Sequence, residues 1–333
     1  MPYPKDQLLE VPCLLCGYSP GRVIISDYAP LLIRSCSRCG HLYTSPRLTD
    51  SALASLYDTE YFESGAEGSA FGYADYAEQE KAIRNTARIR LKWIKRRLKT
   101  DSPKNRLLEI GSAYGFFLDE ARQAGYQIAG VEPAATARSR ANRLLKEEIV
   151  KDRLEKISGQ FDEVVLWDVL EHLPDPLTTL KQISEYMRPG ALLAIITPNS
   201  TSYPAKFFNH RWLVFASPQE HLHFFYPATI RGLLINAGYT PLEVVTFGRG
   251  GKRVRLSYIF KRLVIYSGFF KPLALLVEHT LLKRLAPYVD WGDNMWVLAR
   301  KIYSPRCGGG FQPPQIQRRL RIAATELGFQ PLL

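Results

Sequence analysis

The segment Leu107-Leu108-Glu109-Ile110-Gly111-Ser112-Ala113-Tyr114-Gly115 constrains this chain more than any other, because an apolar run ends in a glycine-bearing turn that opens a helical stretch. Glycines at such a turn let the backbone approach a ligand closely at the carboxyl edge of a sheet, where open α/β folds place their ligands. Beyond it, short apolar runs alternate with helical stretches. The runs at 106–110, 127–131, 149–150, 163–167, 191–197, 242–247 and 294–301 read as strands, and 117–124, 134–146, 176–187 and 227–237 read as helices. The alternation predicts an α/β fold with a doubly wound, seven-stranded, mostly parallel sheet covered on both faces. A basic helix over 78–99 leads into it, with Ile83, Ala87, Ile89, Ile94 and Leu98 expected to form its buried stripe.

Two acids sharpen the turn. The second strand ends in Gly130-Val131-Glu132-Pro133, where a carboxylate can accept both hydroxyl protons of a ribose. A nicotinamide enzyme would share that acid, but its turn would read Gly-x-Gly-x-x-Gly so that a pyrophosphate could sit on the helix N-terminus. Here Ala113 replaces the second glycine, and Glu109 stands just before the turn. A carboxylate at that place repels a pyrophosphate and suits a cationic amino group and sulfonium.

Four of the five cysteines form two Cys-x-x-Cys pairs, Cys13/Cys16 and Cys36/Cys39, separated by 19 residues. Gly17 and Gly40 follow the second cysteine of each pair, suited to the tight turn around a metal-bound sulfur. This spacing predicts one tetrahedral Zn2+ held by four thiolates, which is structural because no coordination position is left for water. Cys307 is left over, and His41 is expected at the surface rather than on the metal.

These motifs together resemble class I S-adenosylmethionine-dependent methyltransferases, particularly a bacterial small-molecule group with an N-terminal four-cysteine zinc module. The resemblance rests on Leu108–Gly115, on Gly130-Val131-Glu132-Pro133, on Phe161 through Pro176 with its Trp167-Asp168-Val169-Leu170-Glu171-His172, on Arg188-Pro189-Gly190 and on Thr197-Pro198-Asn199. Pro46-Arg47-Leu48-Thr49 and Leu56-Tyr57 with Tyr61-Phe62 follow the zinc module as they do in that group. The resemblance implies a Rossmann-like methyltransferase fold that binds S-adenosylmethionine. It puts Glu109, Gly111, Ser112 and Gly115 around the methionine moiety, Glu132 on the ribose, Asp152 beside the adenine, and Trp167 and Asp168 on the far wall. The expected organisation is a zinc-binding module at 1–45, a linker at 46–77, the methyltransferase domain at 78–302, and a poorly ordered tail at 303–333.

Methyl transfer from a sulfonium is a direct displacement that needs alignment, plus a base when the nucleophile must lose a proton. Candidates for the acceptor side are His210-Arg211-Trp212 and Ser217 through Phe225, where imidazoles and a carboxylate sit among aromatics. His221 is the expected base, supported by Glu220 and His223, in a neighbourhood that resembles the acceptor segment of sugar C-methyltransferases. An amphipathic insertion at 252–290 carries eight Lys/Arg and one acid between Lys252 and Arg284. It is expected to be a substrate lid, with peripheral membrane contact through 252–284 as an added role.

The net charge of +12 implies attraction to phosphate, anionic lipid or nucleotide-linked substrates. No stretch reads as a targeting signal or a membrane span, so a cytoplasmic protein is expected. The leading reading is methyl transfer to a small acceptor, a sugar, a lipid-linked intermediate or a secondary metabolite, on oxygen or carbon. One rival is an RNA methyltransferase gripping nucleic acid through the zinc module. The four arginines and one acid between Val11 and Arg47 argue against it, as does the lack of a base-extrusion motif after the fourth strand. A noncatalytic binding protein that kept the cofactor fold is the other rival.

Overall fold

The computed structural model describes residues 3–56, 76–77, 79–97, 105–247, 264, 271–280, 282 and 292–302. The N-terminal part folds as short strands: β1 (Leu8–Leu9), β2 (Arg22–Ile25), β3 (Ile33–Ser35), β4 (Leu42–Thr44) and β5 (Arg47–Leu48), followed by the helix α1 (Asp50–Leu56). β2, β3 and β4 form an antiparallel sheet, and β1 pairs with β5. Residues 46–56, expected to begin a linker, therefore carry a strand and a helix. The reason is apolar burial: Leu48 and Leu53 pack with Leu31 and Leu222.

Next comes α2 (Glu80–Lys95), and then β6 (Arg106–Ile110), α3 (Phe116–Gln123), β7 (Gln127–Val131), α4 (Ala135–Leu145) and β8 (Val150–Lys151). β9 (Phe161–Trp167), α5 (Pro176–Glu185) and β10 (Met187–Pro198) follow. The chain continues through α6 (Tyr203–Phe208), β11 (His223–Phe224), α7 (Pro227–Asn236), β12 (Tyr239–Phe247), α8 (Lys271–Glu278) and β13 (Asn294–Lys301). Seven strands make one sheet in the order β12-β13-β10-β9-β6-β7-β8. Every pair from β10 to β8 is parallel, and β13 runs antiparallel to both of its neighbours. The expected seven-stranded, mostly parallel sheet is thus present.

Alternation within the strands builds two cores. Leu108, Ile110, Val164, Leu166, Leu193 and Ile195 face one side and are covered by Leu180 and Ile183 of α5 and by Ile230, Leu233 and Leu234 of α7. Leu107, Val165, Trp167, Leu192, Ala194 and Ile196 face the other, under α2, α3 and α4. Successive strand side chains point to opposite faces, so strands buried on both faces need apolar residues at nearly every position. Glu109 and Glu163 are the buried acids within these central strands, while Asp162 at the start of β9 is half-buried.

The stripe of α2 differs from expectation. Ala87, Leu91 and Ile94 are its buried residues, whereas Ile89 is 37% exposed. At 100° per residue Ile89 lies about 200° from Ala87, so it cannot share that face, while Leu91 can. Three ion pairs dock the helix through four hydrogen bonds: Arg84 contacts Asp119 at 2.8 Å and Glu120 at 3.2 Å, and Arg88 holds both oxygens of Glu120 at 2.7 and 2.9 Å.

The zinc module expected at 1–45 is continuous with the larger domain. β11 adds to its sheet as a fourth strand, pairing His223 with Tyr43 and Phe224 with Leu42. Thr44 N donates to Leu222 O at 3.0 Å, and Leu222 N donates to Glu171 O at 2.9 Å. Of the insertion at 252–290, only 264, α8, 279–280 and 282 are among the described residues. Leu98, Cys307 and the tail at 303–333 lie outside them, and so do Tyr57, Tyr61 and Phe62. Among the described residues no helix is long and apolar enough to cross a membrane.

Candidate active site

The sheet order reverses between β6 and β9: the chain leaves β6 toward β7 on one side and leaves β9 toward β10 on the other. The crossover connections diverge there, which opens a crevice at the carboxyl ends of the two strands. Glu109 and Gly111 stand at the end of β6, and Trp167 and Asp168 at the end of β9.

The turn after β6 is latched to β7. Gly111 N and Ser112 N both donate to Val131 O, at 2.8 and 3.1 Å. Gly111 has φ +74°, and a Cβ there would stand 2.5 Å from Val169 Cγ2, a stiff branched side chain. Only glycine fits. Ala113 and Asp168 also adopt positive φ, at 44° and 56°, a costly conformation for residues bearing a Cβ. Both border the crevice.

Two cavities flank this turn. One of about 430 Å³ is lined by Glu132, Pro133, Asp152, Val169, His172 and Leu173, among others. The other, of about 250 Å³, is lined by Glu109, Ser112, Phe117, Arg90 and Trp296, among others. Gly111, Trp167, Asp168 and Tyr76 border both. Of the expected cofactor residues, Glu109, Gly111, Ser112, Glu132, Asp152, Trp167 and Asp168 therefore converge on one crevice. Gly115 stands behind the turn as the N-cap of α3, at φ +79°, where a Cβ would approach Ala141 to 3.1 Å. It shapes the backbone and does not line either cavity.

Glu132 accepts from Ala113 N at 2.8 Å through one oxygen and from Ala134 N at 3.0 Å through the other. Burial raises its carboxyl above the usual range, against those two hydrogen bonds. Glu109 is buried, and burial pushes its carboxyl well above the ordinary value, only partly offset by Arg90. Glu109 Oε2, Ser112 Oγ and Trp167 Nε1 are all buried without a hydrogen-bond partner. Native interiors rarely orphan polar atoms, so three around one crevice indicate a polar ligand there. Asp152 is held ionised by Lys156, 2.9 Å away.

Arg90 was missed by the sequence reading, which singled out only the apolar residues of this basic helix. Its guanidinium lies 4.8 Å over the Trp167 ring and 3.3 Å from Asp168 Oδ2. Gln79, Ile83, Thr86 and Arg90 recur at helical spacing on the face of α2 that lines the smaller cavity. That spacing was the available signal, masked by the abundance of basic residues around it. Leu53 and Ala54 of α1 also line the larger cavity, although their segment read as linker.

The acceptor-side residues divide. His221 packs on His172, ring centroids 4.7 Å apart, and the two stand with Glu171. Glu220 reaches His172 through its backbone carbonyl, 2.8 Å from Nδ1. His223, expected to support His221, is engaged elsewhere: its Nδ1 is 3.1 Å from His41 Nε2. Register explains this, since β4 places Tyr43 opposite His223 and thus His41 diagonally across on the same face. His41 is accordingly buried, not at the surface as expected, and burial followed by the charge of His223 depresses its pKa. Trp212 packs with Ile25, Ile33, Phe215 and Phe224, while His210 lies 3.9 Å from Asp27. The His210-Arg211-Trp212 stretch thus joins the N-terminal sheet and does not line the crevice.

The four cysteine sulfurs cluster within 4.8 Å of one another. Cys13 and Cys39 are 3.5 Å apart, and Cys16 and Cys36 3.4 Å. Tetrahedral zinc with Zn–S near 2.3 Å would set sulfurs about 3.8 Å apart, far from a disulfide length. Matching turns hold them: Gly17 N donates to Cys13 O at 2.7 Å and Gly40 N to Cys36 O at 2.8 Å, both glycines at positive φ.

Residues 77–244, about half of the chain, match the methyltransferase domain family. The chain is 25% identical over 221 residues to the ubiquinone biosynthesis O-methyltransferase of Aeromonas salmonicida, covering 58% of this chain and 90% of that protein. It is 25% identical over 142 residues to the protein of that name from Pseudomonas aeruginosa, covering 40% and 60%. Among solved structures, it aligns with the magnesium protoporphyrin IX methyltransferase of Synechocystis PCC 6803 with bound SAH, at 11% identity and TM-score 0.47, covering 76% of this chain and all of that one. A methyltransferase from Archaeoglobus fulgidus aligns at 19% identity and TM-score 0.46, covering 68% and 100%. With the family match, the sheet order and the glycine turn between two acids in agreement, the chain belongs to the methyltransferase domain family and is an S-adenosylmethionine-dependent methyltransferase.

Proposed function

We propose that this enzyme transfers a methyl group to a hydroxyl oxygen of a small, largely apolar acceptor. S-adenosylmethionine, when bound, supplies an electrophilic methyl carbon on a sulfonium whose neutral thioether is the leaving group. The observation that carries the reading is the larger cavity, which runs from the ribose-side acids Glu132 and Asp152 to His172, Leu173 and Pro174. A nucleoside is held at one end and the other end meets an imidazole and apolar walls. The O-methyltransferase names of the relatives favour oxygen over carbon as the methylated atom.

The chain's residues divide the work. Glu132 accepts from the ribose hydroxyls, and Asp152 borders the adenine. Glu109 faces the cofactor's amino group, while Arg90 holds its carboxylate and is itself positioned by Asp168 and the Trp167 face. Gly111 and Ser112 bring backbone against the methionine moiety, and Gly115 shapes the turn behind them. His172 and His221 serve the acceptor end, with Glu220 orienting His172. His223 acts at a distance by tying β11 to His41. The four cysteines hold a structural Zn2+, which fits the spacing of their sulfurs.

Glu109 makes the binding pH-dependent. Its carboxyl is protonated in the free enzyme to a pH well above the usual carboxylate range, because burial disfavours the charge. An ammonium group beside it favours the charged form, so the pKa falls on binding and a proton is released. Affinity for S-adenosylhomocysteine is therefore expected to rise with pH until the free carboxyl ionises, then level off. Calorimetry in buffers of different ionisation enthalpy should detect the proton, and Glu109→Gln should abolish both the release and the slope.

Methyl transfer itself is tested with labelled S-adenosylmethionine and a panel of phenols, catechols, sugar nucleotides and keto acids. An O-methyl product from hydroxylated aromatics is expected. His221→Ala should lower turnover by roughly 100-fold or more while leaving S-adenosylhomocysteine affinity unchanged. Products methylated solely on carbon, or full activity in that variant, would overturn the assignment of oxygen or of His221 respectively.

A further inference from the structure

Glu171, His172 and His221 form a second cluster of metal-ligating side chains, distinct from the four cysteines. One ligand atom of each lies within 4.8 Å of the other two, and His172 Nε2 stands 4.0 Å from Glu171 Oε1. The three come from two segments: Glu171 and His172 from the 3-10 turn after β9, and His221 from the stretch that enters β11. Leu222 N, donating to Glu171 O at 2.9 Å, holds those segments together beside the cluster.

The hydrogen bonding around the cluster is that of a ligand set. His172 Nδ1 lies 2.8 Å from the Glu220 carbonyl, which accepts its proton. That bond fixes the tautomer and leaves the Nε2 lone pair on the side of Glu171, the outer-shell arrangement found behind metal-bound histidines. Glu171 is 1% exposed, yet its Oε2 is buried with no hydrogen-bond partner, and so is His221 Nδ1.

We propose that Glu171, His172 and His221 bind a divalent transition-metal ion of the zinc or cobalt class, with an open coordination position facing the acceptor end of the larger cavity. Two imidazoles and one carboxylate suit that class, whereas an all-oxygen set would suit magnesium or calcium. Tetrahedral ligand atoms at about 2.0–2.1 Å from the ion stand about 3.4 Å apart, so the present separations contract modestly on binding. Three protein ligands and one open position are the pattern of a catalytic site, in contrast to the closed shell of four thiolates. His172 lines the cavity itself, which aims the open position there.

This inference rests on the reading of the acceptor as a hydroxyl compound. The acceptor oxygen takes the open position and its proton passes to solvent water. The oxygen then forms its bond to the methyl carbon as the carbon–sulfur bond breaks, and S-adenosylhomocysteine departs.

The test is metal content of the full-length protein, reloaded with Zn2+ or Co2+ and measured by plasma mass spectrometry. The wild type is expected to hold one equivalent more than either Glu171→Gln or His221→Ala, with S-adenosylhomocysteine affinity the same in all three. In the cobalt form, weak ligand-field bands of a nitrogen–oxygen site should vanish in both variants while the intense sulfur-to-cobalt bands of the cysteine site remain. The wild-type spectrum reads the site even where a variant folds poorly. Metal content and spectra identical across the three proteins would overturn the site and leave O-methyl transfer standing. The extra equivalent with methylation solely on carbon would keep the ion and overturn the hydroxyl reading.

Discussion

Replacing Glu132 by alanine is expected to weaken S-adenosylhomocysteine binding by about two to four orders of magnitude, because two charge-assisted hydrogen bonds to a ribose are worth roughly 1.5–3 kcal/mol each. The same carboxylate accepts from Ala113 N at 2.8 Å and Ala134 N at 3.0 Å. Its loss therefore also loosens the turn at Ala113, which sits at positive φ and needs a partner to stay there. Glu132→Gln separates the two roles, since its amide oxygen can still accept one backbone N–H but the second position becomes a donor. Its affinity should fall between wild type and Glu132→Ala. Calorimetric titration checks this, with circular dichroism to confirm that all three proteins are folded. Wild-type affinity in Glu132→Ala would show that the ribose is held elsewhere and would undo the assignment of the larger cavity.

Removing the proposed Zn2+ from the cysteine cluster by Cys39→Ser, which leaves Glu171, His172 and His221 intact, is expected to abolish methyl transfer while sparing cofactor binding. The N-terminal sheet has a small core of its own and cannot hold together on apolar burial alone. A four-thiolate zinc site contributes on the order of 10–16 kcal/mol of apparent binding free energy to such a fold. β4 is the partner of β11, and Thr44 bonds both Leu222 O and His221 O. Unfolding that sheet would release the 221–224 stretch and with it His221, whereas β6, β7 and their turn lie in the other sheet. Trp212 reports the change, because it is 3% exposed in the core shared by the two parts. The Cys39→Ser protein should show red-shifted tryptophan emission, no turnover and retained S-adenosylhomocysteine affinity. Retained turnover after complete loss of that Zn2+ would detach the module from the acceptor site.

The parts legible in the sequence are those set by local patterning. Strand–helix alternation called for a parallel sheet, and its seven strands are present. Glu109, Gly111 and Glu132 could be named because a turn and its flanking strand ends are contiguous in the chain. The two cysteine pairs were legible for the same reason, each being a five-residue turn closed by a glycine. Where residues had to be brought together from afar, the reading failed. His41 and His223 are 182 positions apart and meet only through strand pairing. Arg90 resembled the solvated arginines around it until packing set the rotation of α2.

What the sequence determined by itself was therefore the type of fold, the glycine turn at the strand ends and the thiolate cluster, because short-range spacing and hydrophobic period fix those directly. Tertiary structure alone decided which histidine faces which partner. The stretch from Ser217 to Phe225 reads as one neighbourhood with His221 as base and His223 as its support, and nothing local shows that the two imidazoles take different partners. Backbone pairing with β4 turns His223 toward His41, while the bond from Leu222 to Glu171 sets His221 against His172. The energy that makes that choice lies in hydrogen bonds between segments distant in the chain, which no local pattern records.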